Sequence, residues 1–248
     1  DRAHTSRVDF ANTVVPLLVA VLLASIFQVP ESVATVLFLL ALAPGGINAV
    51  QFSTKVPGQL ALSGELLFFL SLVGLVTAPV AAWMILPADA SVGVPVGELA
   101  FRVLGLVTAP LVIGMVVRAT SPSLVERLHK PAMLVSTMSF VASVLLSLSQ
   151  RQESLDLFGS STVMAMLLFV VALMATGWVA GGPELDRRQV LAVATNLRNV
   201  GLVYVLVDGC CEGGELTAAV LGFMALMVPA NLVLTILCAI ARKRRSPA

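Results

Sequence analysis

Leu42-Ala43-Pro44-Gly45-Gly46-Ile47-Asn48 and Ala194-Thr195-Asn196-Leu197-Arg198-Asn199-Val200-Gly201 each interrupt an apolar run near its middle. In the first stretch, Pro44 has no N–H and disfavours helix at Ala43, while Gly45 and Gly46 supply no side-chain stiffening. Hydrocarbon cannot satisfy the backbone groups that a break sets free, so the break must face protein or a wet cavity. A simple proline kink is the plainer alternative. In the second stretch a guanidinium sits mid-run. Insertion scales put the cost of a central Arg at ~2.5–3.5 kcal/mol. Arg198 lies about nine residues, or ~13 Å of helix, from either end of its run. That is too deep for the snorkelling that most membrane arginines use. Read as helix, Thr195, Arg198 and Asn199 at i, i+3 and i+4 share one face. With Asn196 they are expected to form an interior polar site.

The surroundings of both stretches set the class. The chain has 248 residues, of which 58% are hydrophobic and 12% charged, with a mean hydropathy of +0.99. A soluble domain carries about 25% charge, so the composition points to an all-α multi-pass membrane protein. Eight apolar segments are read, roughly Phe10–Gln28, Val33–Thr54, Leu60–Leu86, Leu99–Val117, Pro131–Ser149, Ser160–Ala180, Gln189–Val207 and Leu216–Ala241. Each is about 19–27 residues, enough to cross ~30 Å of hydrocarbon as helix. The alternation of a membrane β-strand is absent. Three cysteines exclude a disulfide scaffold, the apolar content excludes disorder, and a net charge of +1 gives no hint of nucleic acid.

Charge placement tests the count of segments. With the N-terminus in the cytoplasm and eight alternating spans, twelve of the 15 basic residues fall on the cytoplasmic side: Arg2, Arg7, Lys55, Arg118, Arg127, Lys130, Arg187, Arg188 and the run Arg242 to Arg245. The other side receives Arg151, Arg102 at a span edge, and acids such as Glu31, Asp89, Asp208 and Glu215. One missed helix would invert everything after it. A cell-membrane protein with both termini cytoplasmic is expected.

The interrupted segments hold equivalent places, each the middle of three: segments one to three within residues 1–98, and six to eight within 159–248. Segments four and five, within 99–158, link the halves. The first group starts inside and the second outside, so their orientations are opposite. Paired broken helices in inverted repeats point to a secondary-transporter site at the midplane.

At these motifs the chain resembles the bile acid:sodium symporter family. The resemblance rests on Pro44-Gly45-Gly46 followed by Ala61-Leu62-Ser63, and on the Asn199-containing stretch after Arg187-Arg188. It implies two discontinuous crossing helices, a core with a panel of helices beside it, sodium near the crossing, and an organic anion between core and panel. Family members have nine or ten helices. The resemblance thus implies that one or two N-terminal panel helices are absent here, by truncation or by a reduced panel. Ser63 matches a sodium-ligand serine, but its partner position is Leu67. The Ser-Asn pair after Pro-Gly-Gly is Ala49-Val50 here, with Asn48 one step early. On the second broken helix the family's Glu is Ala194 and its Gln-Asn pair is Arg198-Asn199. A cation stands where the carboxylate's partner would be, which counts against sodium coupling. Asn231, after Pro229, matches a substrate-side asparagine, with a helix-packing hydrogen bond as the alternative.

The expected function is alternating-access transport of small organic anions. Arg198, Asn199, Asn196, Thr195, Asn48, Gly45, Gly46 and Asn231 are the candidate substrate residues. No catalytic residue and no cofactor is expected, beyond Na+ or H+ as a coupling ion. Glu65, two positions after Ser63 and on another helix face, is expected to snorkel to the surface. In the alternative reading, a cation/proton antiporter, it would carry the proton. A non-transporting membrane sensor or assembly subunit is the other alternative. Cys210, Cys211 and Cys238 read as free thiols, since no metal spacing exists. Neither an H-E-x-x-H zinc pattern nor a G-x-S-x-G elbow occurs.

Overall fold

Long apolar runs leave helix as the way to pair each peptide group within its own segment. The computed structural model describes residues 2–46, 48–53, 56, 59–85, 101, 105, 109–150, 158–207 and 214–245. Among these the elements are all helical: α1 (Arg2–Phe27), α2 (Glu31–Ala41), α3 (Asn48–Ser53), α4 (Leu60–Ile85), α5 (Ala109–Thr120), α6 (Pro122–Gln150), α7 (Ser160–Ala180), α8 (Leu185–Asn196), α9 (Val200–Val207) and α10 (Glu215–Arg245). Four stretches are long and apolar enough to cross a membrane, namely Leu62–Ile85, Ser160–Ala180, the interrupted Leu185–Val207, and Glu215–Arg244. Asn12–Phe27 and Glu31–Ala41 are shorter apolar helices.

Both expected interruptions are present. The helix of the second segment stops at Ala41 and resumes at Asn48, and that of the seventh stops at Asn196 and resumes at Val200. One expectation is corrected. The fifth segment was expected to begin at Pro131, yet α6 starts at Pro122 and runs through Pro131. Only Ser121 separates α5 from α6. Pro122 opens the helix where its missing N–H costs nothing, and the Ser121 carbonyl accepts the N–H groups of Leu124 and Val125. Glu126, Arg127 and Lys130 signalled polarity, which an exposed helix carries as readily as a turn.

Helix α8 lies at the centre. Every residue from Gln189 to Asn196 is buried, with α7, α10, α3 and α4 packed around it. Helix α7 buries one face, Thr162, Ala165, Met166, Phe169, Val170, Leu173 and Gly177, at helical spacing. Lipid tails are as apolar as leucine, so helices associate in a bilayer by close packing at small residues. At Gly177 a Cβ would run into the backbone of Leu191 and Ala192. Phe169 and Phe223 tie α7 to α10 with ring centroids 5.8 Å apart.

The neighbour relations repeat. Helix α1 packs on α7, α2 on α10 and α8 on α4, α3 on α8 and α9 on α2. Helices α5 and α6 pack on each other, and α6 reaches α10. Arg242 near the end of α10 donates to Asp186 Oδ1 and to Gln189 Oε1, each at 2.8 Å, on the first turns of α8. The turn before α8 and the end of α10 are therefore at the same end of the bundle, as the charge pattern requires.

Candidate functional site

The site grows from the question of where the interrupted backbones place their hydrogen bonds. In the first break, the Leu42 carbonyl accepts from Thr77 Oγ1 at 2.5 Å and the Gly45 carbonyl from Ser71 Oγ at 3.1 Å. The Gly46 carbonyl accepts from the N–H of Ala49, which starts the next helix. One face of α4 thus serves as a rail of hydroxyls for the break. Gly45 has φ +90, and a Cβ there would strike the backbone of Leu70 and Ser71. The position needs glycine twice over, for the left-handed backbone and for the close approach.

The second break contains neither proline nor glycine and turns by another route. The Arg198 N–H donates to the Asn196 carbonyl at 2.9 Å, with Leu197 between them at φ -73 and ψ 90. The Val200 N–H likewise donates to the Arg198 carbonyl at 2.8 Å. These are two successive three-residue turns. Asn199 then caps α9, its Oδ1 accepting from the Leu202 N–H at 3.1 Å, the use to which asparagine is best suited at a helix start.

The two breaks hold each other. The Gly46 N–H donates to the Leu197 carbonyl, and the Asn199 N–H donates to the Ala43 carbonyl, each at 2.8 Å. A Cβ on Gly46 would stand 2.5 Å from the Leu197 oxygen and 2.7 Å from the Arg198 oxygen. Gly46 therefore lets the two main chains touch.

Arg198 lies at this crossing, 2% exposed. Its Nη1 donates to the Asn12 carbonyl on α1 at 2.8 Å. Pro16 follows four residues after Asn12 inside α1, and a proline cannot donate the helical bond that the carbonyl would otherwise receive. Proline thus makes the acceptor available. Arg198 Nε and Nη2 are buried and have no hydrogen-bond partner among the described residues. Nor do Thr195 Oγ1 and both polar atoms of Asn196, on the last turn of α8. Buried polar atoms are ordinarily paired, so the end of α8 presents unused hydrogen-bonding capacity at one place. Sequence reasoning missed Asn12, although the Asn12 and Pro16 pair in the first apolar run was a readable signal for a spare carbonyl.

The sequence profile of the Sodium Bile acid symporter family matches residues 10–177. The chain belongs to that family. Members of the sodium bile acid symporter family are membrane transporters, and with its apolar helices the chain is a multi-pass membrane protein of this type. The matched stretch carries Pro44-Gly45-Gly46 and Ser63 and ends in α7, so α8, α9 and Arg198 lie beyond it. No curated protein matches the chain.

The remaining sequence candidates of this family member fall as follows. Thr195, Arg198 and Asn199 were read as one helical face; because α8 ends at Asn196, the break separates them, and Asn199 belongs to the start of α9. Asn48 begins α3, and its side chain lies outside the described set. Ser63 is fully buried, with its Oγ unpartnered among the described residues, whereas Glu65 is exposed on α4. Asn231 donates from Nδ2 to the Met227 carbonyl at 2.8 Å while its Oδ1 is unpartnered. Cys238 is a buried free thiol; Cys210 and Cys211 lie outside the described residues. Among the described residues no three His, Cys, Asp or Glu side chains gather as a metal site.

Proposed function

We propose that this chain is a secondary active transporter of small organic anions, working by alternating access around the crossing of α2–α3 with α8–α9. The observation that carries the reading is Arg198, a guanidinium buried at the joint of two broken helices, with Nε and Nη2 unpartnered among the described residues. Broken helices paired across inverted repeats are the setting in which transporters bind cargo. Residues 1–98 and 159–248 form the two repeats, with residues 99–158 as the panel. The repeating neighbour relations and the reciprocal pair of backbone bonds support this division. Arg198 meets the anion's charge, Thr195 and Asn196 add neutral hydrogen bonds, Gly45 and Gly46 keep the crossing tight, and Asn199 holds α9 in place. Asn48 and Asn231 complete the proposed set of cargo residues. The protein sits in the cell membrane with both termini in the cytoplasm.

Sodium has little part in this cycle. The positions where the resemblance calls for sodium oxygens hold Ala49, Val50, Leu67 and Ala194, while Ser63 keeps the matching hydroxyl. The antiporter alternative loses support from Glu65, which faces away from the packed core. The test is uptake in cells with surface expression held equal. Arg198→Ala abolishes anion uptake, and Arg198→Lys restores little of it, because an ammonium lacks the planar two-donor edge. Transport by Arg198→Ala at the parent rate removes Arg198 from the mechanism.

A further inference from the structure

Arg198 is the one charged side chain among the buried described residues. Its single hydrogen-bond acceptor, the Asn12 carbonyl, is neutral. Among the described residues it has no ion-pair partner; the ion pair found there joins Arg242 and Asp186 at the end of the bundle. The two unpartnered nitrogens, Nε and Nη2, form one edge of the guanidinium, whose two N–H bonds run parallel. That edge matches the two oxygens of a carboxylate. With Nη1 held by Asn12, the free edge is also fixed in orientation. Among the described residues, then, Arg198 has no countercharge.

This has a consequence for how the carrier cycles. With a carboxylate on Arg198, the occluded site holds a hydrogen-bonded, net neutral pair. Without it, the same conformational step must bury a bare guanidinium away from both water and anion, which is the costly arrangement for a charge in a low-dielectric interior. We propose that the chain is a carboxylate exchanger: it moves between its two faces when a carboxylate occupies Arg198 and stalls when the site is empty. This rests on the reading of the chain as an anion transporter and adds to it both the cargo class and the mode of turnover.

The experiment uses the purified full chain in proteoliposomes, with potassium equal on both sides and valinomycin present, so that charge build-up does not limit net flux. Labelled pyruvate, gluconate and glycocholate sample small, polar and amphipathic carboxylates. Each is added outside vesicles that contain either the same unlabelled carboxylate or sucrose. For at least one of the three, entry into carboxylate-loaded vesicles is expected to exceed entry into sucrose vesicles by about tenfold or more, the ratio that a barrier difference of about 1.4 kcal/mol produces. The same carboxylate raises the melting temperature of the detergent-solubilised protein, and Arg198→Gln removes both the exchange and that shift. Should Arg198→Gln fail to fold, Arg198→Lys serves in its place, with a reduced shift expected. Asp9→Asn, which removes the acid closest to Asn12 along the chain, leaves the ratio unchanged. Equal entry into both kinds of vesicle overturns the exchange mechanism while leaving the transport reading intact. Entry into neither overturns both. An Asp9→Asn variant whose ratio changes overturns the proposal by giving Arg198 a resident countercharge.

Discussion

Gly46→Ala is a small change with a large expected effect. The added methyl would lie 2.5 Å from the Leu197 oxygen, where ordinary contact begins at 3.4 Å, so the two main chains must separate by about 0.9 Å. Both crossing bonds are 2.8 Å long. A separation of that size takes them out of the 2.7–3.2 Å range in which N–H···O bonds form. A buried donor or acceptor left unmade costs about 1–3 kcal/mol, so two broken bonds give a loss of roughly 2–6 kcal/mol. At ~2–4 °C per kcal/mol for a chain of this size, the melting temperature falls by roughly 4–24 °C. The assay is thermal unfolding in detergent, followed by the fluorescence of Trp83 and Trp178. Gly64→Ala is the control: nothing lies within 4 Å of a Cβ there, and alanine in a helix interior is favoured over glycine by ~0.5–1 kcal/mol. That variant is expected to melt with the parent or above it. A Gly46→Ala protein that melts with the parent would refute the view that the breaks are sealed by main-chain contact at this residue.

Replacing sodium with choline is expected to change uptake by less than about twofold, because a hard cation needs several oxygen ligands. A steep, saturable sodium dependence would show that backbone or displaced oxygens had rebuilt such a site. A tag placed after Ala248 is expected to resist protease in sealed right-side-out cells, and its digestion there would invalidate the eight-span topology. Removing the half-buried Arg242–Asp186 pair in a double-mutant cycle, with side chains 21% and 33% exposed, is expected to give a small but measurable coupling of about 0.5–1 kcal/mol. A coupling near zero would mean that this contact does not tie α8 to α10.

The long elements were legible because length and hydropathy suffice for them: the sixth apolar run, Ser160–Ala180, coincides with α7 residue for residue. The first break was legible because Pro44, Gly45 and Gly46 are backbone signals. The second was legible only as a cluster of polar residues. Its turns are made by Leu197 and Asn199, residues that also sit comfortably in helices, and what bends the chain there is partnership with a distant segment. No local pattern announces that the Ala43 carbonyl will meet the Asn199 N–H. Asn199 was assigned to cargo for its chemistry, whereas its Oδ1 is engaged in capping α9. The fifth segment was started at Pro131 because the apolar run begins there, whereas the helix starts at Pro122 and carries its charges on an exposed face.

The bonds that join the two breaks run from main chain to main chain, so they are indifferent to most substitutions. Ala43, Leu197 and Asn199 contribute peptide groups that any residue other than proline would supply at the donor positions. Among the four residues that make these bonds, position 46 alone has no room for variation. A lineage that inherits this joint is thus free to alter the side chains around residues 194–198, and on the proposed reading the charge and size of the cargo, without rebuilding the joint. Change of cargo is then separable from change of machine.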